Sequence, residues 1–248
     1  MKIFALVAAV LLTPPAVAAD SSHTRIDMPG QNGPGWFLCD GIDAPFVALV
    51  GKPDAAGSVR IGLLDKNRPG ASVTVRSYGL GRADPGAGQV YWSLTQGGRD
   101  AGNLHAFNPG AFGDPAAVRT PPFTSMALGD SRFQCRWRAN TRLIAVAARR
   151  TLLVREDAAG RLIYESFDYA ARPPIEQPDG VQRTTRASQR VTGGREAGAG
   201  GATTFAFANA GYGYVITVPA TGPASLAISR GGRVIQRETL LAYTLAPR

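Results

Sequence analysis

The chain has 248 residues, of which 44% are apolar, 8% aromatic and 18% charged, a balance that excludes a disordered or fibrous protein and allows one sizeable core or two modest ones. Thirty glycines and 18 prolines exceed the usual share without any collagen-like period, so turns must be abundant. The formal charge of +9 is uneven: residues 20–130 hold nine basic and ten acidic side chains, whereas 131–248 hold seventeen basic and eight acidic.

Residues 1–19 read as a secretory signal. Lys2 precedes a short apolar run, Ile3 to Leu12, and the segment ends in the small residues Ala16-Val17-Ala18-Ala19. About ten strongly apolar residues are too few to span a bilayer, which needs roughly 20. The mature protein is expected in an exported compartment, periplasmic or extracellular, without a transmembrane segment. Residues 20–35 read as an amino-terminal tail, followed by a main β domain over 36–170. The only cysteines, Cys39 and Cys135, lie in aromatic, strand-like surroundings, and an even count in an exported chain predicts one disulfide.

Short apolar or alternating segments bounded by glycine, proline or aspartate predict strands. Phe46 to Val50 and Val59 to Leu64 flank Asp54-Ala55-Ala56-Gly57 as a hairpin. Thr151 to Arg155 and Leu162 to Phe167 flank Asp157-Ala158-Ala159-Gly160 in the same way. Ser72 to Tyr78 and Val90 to Thr95 are further strand candidates. Residues 97–130, rich in Pro-Gly and Asp-Pro pairs, read as a long loop, and Leu143 to Ala148 offers the only weak helical pattern. The stretch 171–201 reads as a Pro/Gly-rich linker because almost no large apolar residue interrupts it. Residues 202–248 form a carboxyl-terminal meander with strands at Thr204 to Ala208, Tyr212 to Val218, Ser225 to Ser229 and Arg233 to Glu238. The expected fold is all-β with little helix: an antiparallel β-sandwich or distorted barrel with an additional C-terminal β-meander.

The candidate binding surface is arginine-rich. From Ser131 to Arg155 there are seven arginines and no acid. On a strand through 132–138, Phe133, Cys135 and Trp137 would face inward, and Arg132, Arg136 and Arg138 outward together, with Arg142 following. Guanidinium forks match phosphate, sulfate or carboxylate groups. Trp92 and His105 are added as candidate lining residues of a ligand groove or loop site.

Catalytic motifs are missing or incomplete. Gly129-Asp130-Ser131 matches an esterase-like block, but no histidine follows it. Asp65-Lys66-Asn67-Arg68-Pro69-Gly70 begins like a calcium loop, yet Pro69 and Arg76 occupy ligand positions. Two cysteines and two histidines do not make a zinc site, and no cofactor or metal is expected. These observations lead to an exported, noncatalytic envelope binding protein whose partner is an anionic envelope polymer, a head group or another envelope protein. Nucleic acid is disfavoured, because export separates the protein from it and no nucleic-acid module is readable. The alternatives are a hydrolase-like enzyme with a site near His105 and Asp130, or a structural subunit of the envelope.

Overall fold

The computed structural model describes residues 22–109, 118–171 and 186–247, so the expected signal segment lies outside the described residues. The protein is all-β, with antiparallel pairing throughout and no α-helix among those residues. Eight strands close into a barrel: β10 (Thr141–Ala147), β11 (Arg150–Glu156), β12 (Leu162–Asp168), β13 (Gln189–Ala199), β14 (Ala202–Asn209), β15 (Tyr212–Val218), β16 (Ser225–Arg230) and β17 (Arg233–Leu245). The ring shuts where β17 pairs with β10, Tyr243 opposite Ala145.

Among the described residues, nine strands lie outside the ring. β1 (His23–Met28) pairs with β17 on one side and with β2 (Gln31–Asp40) on the other. From β2 a second sheet curls through β3 (Phe46–Gly51), β4 (Ser58–Asp65), β5 (Thr74–Gly86), β6 (Gln89–Gln96), β7 (Arg99–Phe107), β8 (Phe123–Leu128) and β9 (Ser131–Gln134). Its two ends are drawn together by the Cys39–Cys135 disulfide, with Cα atoms 4.7 Å apart, and by an isolated bridge between Gly41 and Cys135. A disulfide of this kind fits an oxidising compartment.

Strand alternation sorts the apolar side chains into three cores. Phe37, Ala48, Val50, Ile61, Trp92, Leu104 and Met126 fill the curled sheet. Leu152, Val154, Tyr164, Phe205, Ile216 and Leu226 fill the ring. Between the two, Ile26, Leu38, Leu49, Ile144, Val146 and Leu153 pack outer face to outer face. Strands β3 and β10 are therefore buried on both faces, which explains their continuous apolar runs. It also corrects the helical pattern at Leu143 to Ala148: this segment is β10, and the apparent period arises from a strand with no wet side.

The composition-based boundaries do not follow the sheets. Residues 20–35, expected as a tail, supply β1 and the start of β2, because Ile26 and Met28 alternate into the core between the sheets. Within 97–130, expected as loop, lie β7 and β8. Within 171–201, expected as linker, lies β13, whose small residues make room for neighbours: a Cβ on Gly194 would overlap the Phe207 ring. Residues 110–117 and 172–185 fall outside the described residues.

The two Asp-Ala-Ala-Gly turns adopt one structure. Asp54 Oδ1 accepts the amides of Ala56 and Ser58, and Asp157 Oδ1 accepts those of Ala159 and Arg161. Gly57 and Gly160 then take φ of 74° and 73°, a region that costs glycine little. Each turn joins the second and third strands of an eight-strand run, β2–β9 or β10–β17.

Candidate functional site

The acid-free arginine run finds its acids elsewhere in the chain. Arg136 is buried, with Nε 2.7 Å from Asp40 Oδ2 and its guanidinium 3.5 Å from the Phe167 ring centroid. Lys66 Nζ reaches the other Asp40 oxygen at 2.9 Å and also donates to the Gly41 carbonyl. Burial pushes the Asp40 carboxyl up, but the Arg136 and Lys66 charges outweigh it and hold the group below the usual carboxylate range.

Arg142 is buried at one end of the ring, 2.9 Å from Glu156 and 3.0 Å from Glu196. Both carboxylates sit opposite ring-interior positions, Leu162 and Phe205. Arg155 pairs with Glu165, and Arg150 with Glu238. The expected outward row is thus corrected. Arg132 and Arg138 are exposed, whereas Arg136 and Arg142 are structural cations, because β9 ends at Gln134 and the chain then turns inward beside the disulfide. Phe133 and Cys135 do face inward, and Trp137 is half-buried with Nε1 3.4 Å from the Thr120 carbonyl.

Trp92 belongs to the core of the curled sheet, where its ring lies 5.5 Å from Trp36 and 5.4 Å from Phe123. It lines no groove. His105 lies on the outer face of β7 and stacks on Tyr91 at 4.4 Å. Its Nδ1 meets the hydroxyls of Ser125 and Thr124 at 2.9 and 3.1 Å, and its Nε2 is buried without a hydrogen-bond partner. Burial lowers the His105 pKa below 6.5. Ser125 and His105 resemble a nucleophile–base pair, but among the described residues no carboxylate orients the ring. Asp130 sits in the β8–β9 turn, five residues along from Ser125, or ~16 Å of extended chain.

A different set of residues converges at the open end of the curled sheet. There a bowl of about 540 Å³ opens where the inward-facing positions of seven strands, β3 to β9, run past the edge of the core. On β4 the inward series Val59, Ile61, Leu63 ends in Asp65. On β5, Arg76 stands opposite Ile61 and Thr74 opposite Leu63. On β6 the series Trp92, Leu94 ends in Gln96. A bulge in β7 beside Leu94 then sets Arg99 opposite Gln96, turning it toward the same face. Ser131 stands opposite Leu128 on the β8–β9 side.

The bowl has an apolar floor and a polar rim. Leu63, Tyr78, Leu128 and Phe133 form the floor, with Ala101 half-buried beside them. Arg68, Arg76 and Arg99 stand on the rim with Asp65 and Asp100. Arg68 Nε is 2.8 Å from Asp65 Oδ2, and that hydrogen bond lowers the Asp65 pKa. Asp100 Oδ1 accepts the Gly102 amide at 3.0 Å. Arg76 and Arg99 make no ion pair with any described residue.

The sequence carried a signal for this site: apolar alternation that ends in a polar inward residue, as in Leu63-Leu64-Asp65 and Leu94-Thr95-Gln96. It stays invisible until the register brings those strand ends together. Asp65 to Gly70 forms a turn in which Asp65 Oδ1 accepts the Asn67 amide. Among the described residues, no three His, Cys, Asp or Glu side chains could hold a metal, and no helix is long and apolar enough to cross a membrane. No protein-family model matches the chain, and no curated protein matches it.

Proposed function

We propose that this is an exported, noncatalytic binding protein of the cell envelope, holding an anionic head group or a segment of anionic polymer in the bowl of the curled sheet. One observation carries the reading. Among the described residues, Arg76 and Arg99 line an apolar-floored bowl without an ion pair, whereas the buried Arg136 and Arg142 each have one. Arginines left unneutralised beside a concave surface are suited to oxyanions, which their planar forks bind in bidentate fashion. The disulfide supports a compartment outside the cytoplasm, where envelope polyanions are within reach.

Retention on immobilised polyphosphate and on anionic lipid vesicles at low salt tests this reading. The native protein should be retained and should elute as salt screens the charges. The double variant Arg76→Ser/Arg99→Ser should pass through both, whereas Arg132→Ser/Arg138→Ser should bind nearly as well as the parent. No retention of the native protein, or undiminished retention of the Arg76/Arg99 variant, overturns the assignment.

A further inference from the structure

Resting on that reading of the bowl, we infer that its ligand is a phosphorylated sugar rather than a bare polyanion or an acyl-chain amphiphile. Three features of the bowl narrow the chemistry.

First, the core that the bowl opens onto is filled. Directly beneath the bowl Leu94, Leu104 and Met126 are essentially inaccessible to solvent, and Trp92 and Phe123 pack beside them. A filled interior leaves no channel for an acyl tail to descend, so the volume of about 540 Å³ must be occupied by something broad and short.

Second, the rim mixes cations with acceptors. Asp65, Asp100, Gln96, Thr74 and Ser131 line the same opening as the arginines. Carboxylates beside an anion site weaken the hold on a ligand that carries charge along its whole length, without abolishing its retention at low salt. They suit one that is charged at a single point and hydroxylated elsewhere, because carboxylate and amide oxygens accept hydrogen bonds from hydroxyl groups.

Third, the floor is apolar and only partly covered. Leu63 and Ala101 are half-buried against the core, and they offer a surface for the C–H face of a sugar ring. The register places Arg76 on β5 and Arg99 on β7, with Gln96 of β6 between them. A phosphate group held by the two arginines would therefore leave the sugar over the floor and its hydroxyls against Gln96 and Asp100.

Calorimetric titration of the oxidised protein with glucose 6-phosphate, glucose, inorganic phosphate and decyl phosphate tests the inference. Vesicles bearing a phosphorylated disaccharide glycolipid form a further arm. Glucose 6-phosphate should bind at least tenfold more tightly than inorganic phosphate or glucose. Arg76→Ser should remove most of that affinity. Gln96→Leu should weaken the sugar phosphate severalfold and leave inorganic phosphate unchanged.

Binding of the free sugar phosphate without retention on glycolipid vesicles supports a soluble ligand, and retention on the vesicles supports a lipid-borne one. Equal affinity for inorganic phosphate and glucose 6-phosphate, or tightest binding of decyl phosphate, overturns the sugar inference while leaving the anion site standing. If no anion binds, both fall. Both single-site variants change exposed residues, and matching melting curves will show that they are folded.

Discussion

Asp40 and Arg136 meet one residue beyond Cys39 and Cys135, so the disulfide on the inner face of the curled sheet is backed by a buried ion pair on its outer face. Because strand neighbours alternate faces, one crossing of the chain places the covalent link in one core and the charge pair against Phe167 of the ring. Removing one member strands the other charges in a dry site. Asp40→Asn is therefore expected to destabilise the protein by about 3 kcal/mol or more, read as a lower urea midpoint with the disulfide intact. An unchanged midpoint would show that the site is wet. The same carboxyl sets an acid limit. Its folded pKa lies below the ordinary value of 3.8, so its contribution is complete above about pH 4 and is lost as pH falls through the lower, folded value.

Gly194 provides a test of β13. Its backbone is ordinary, but an added methyl would press into the Phe207 ring in the core of the closed barrel. Gly194→Ala should cost about 1–3 kcal/mol through overpacking, whereas Gly86→Ala, with open space around it, should be nearly neutral. Equal melting temperatures for the two variants would argue that residues 189–199 do not pack in the ring.

Cleaving the disulfide frees a loop of 96 residues in the unfolded chain. The entropic cost corresponds to about 4–5 kcal/mol in the chain-entropy model. Cys39→Ala/Cys135→Ala should accordingly unfold at a much lower urea concentration than the oxidised parent. A loss below about 1 kcal/mol would indicate that the Asp40 cluster and the Gly41 bridge hold the sheet ends together unaided.

At alkaline pH the ring should be the sensitive part. Burial raises Tyr164 to about 12 and raises Tyr169 and Tyr243 as well. A phenol whose folded pKa exceeds its unfolded value of 10 contributes stability that is complete below pH 10 and disappears as pH climbs toward the folded value. Stability measured from pH 9 upward should fall beyond 10. The absorbance titration at 295 nm should lose a component near pH 12 in Tyr164→Phe. A variant with an identical titration would contradict the burial of that hydroxyl.

Local pattern was sufficient where neighbours in sequence decide the outcome. The hairpins around Asp54 and Asp157 are strands β3–β4 and β11–β12, because alternation and turn chemistry are short-range signals. The pairing of Cys39 with Cys135 followed from count and setting. Charge placement did not follow, because Asp40 lies 96 residues before Arg136, and Arg142 is held by Glu156 and Glu196, 14 and 54 residues after it and beyond the end of the run. A run without nearby acids therefore looked like an open surface. β13 escaped notice for the opposite reason: a strand that packs by having no side chain at Gly194 resembles a linker to any reading based on apolar content. The bowl required register as well as alternation, since no two of its arginines share a strand.

Strand β17 has one half in the β16 hairpin and the other clasped between β10 and β1, where Thr244 meets Thr24 across 220 positions. Segments from distant parts of the sequence thus complete the same seam. Neither the ring nor its link to the curled sheet can lock until β17 reaches its place between β10 and β1, whereas the curled sheet closes on its own strands. Folding of the ring therefore waits on its final strand.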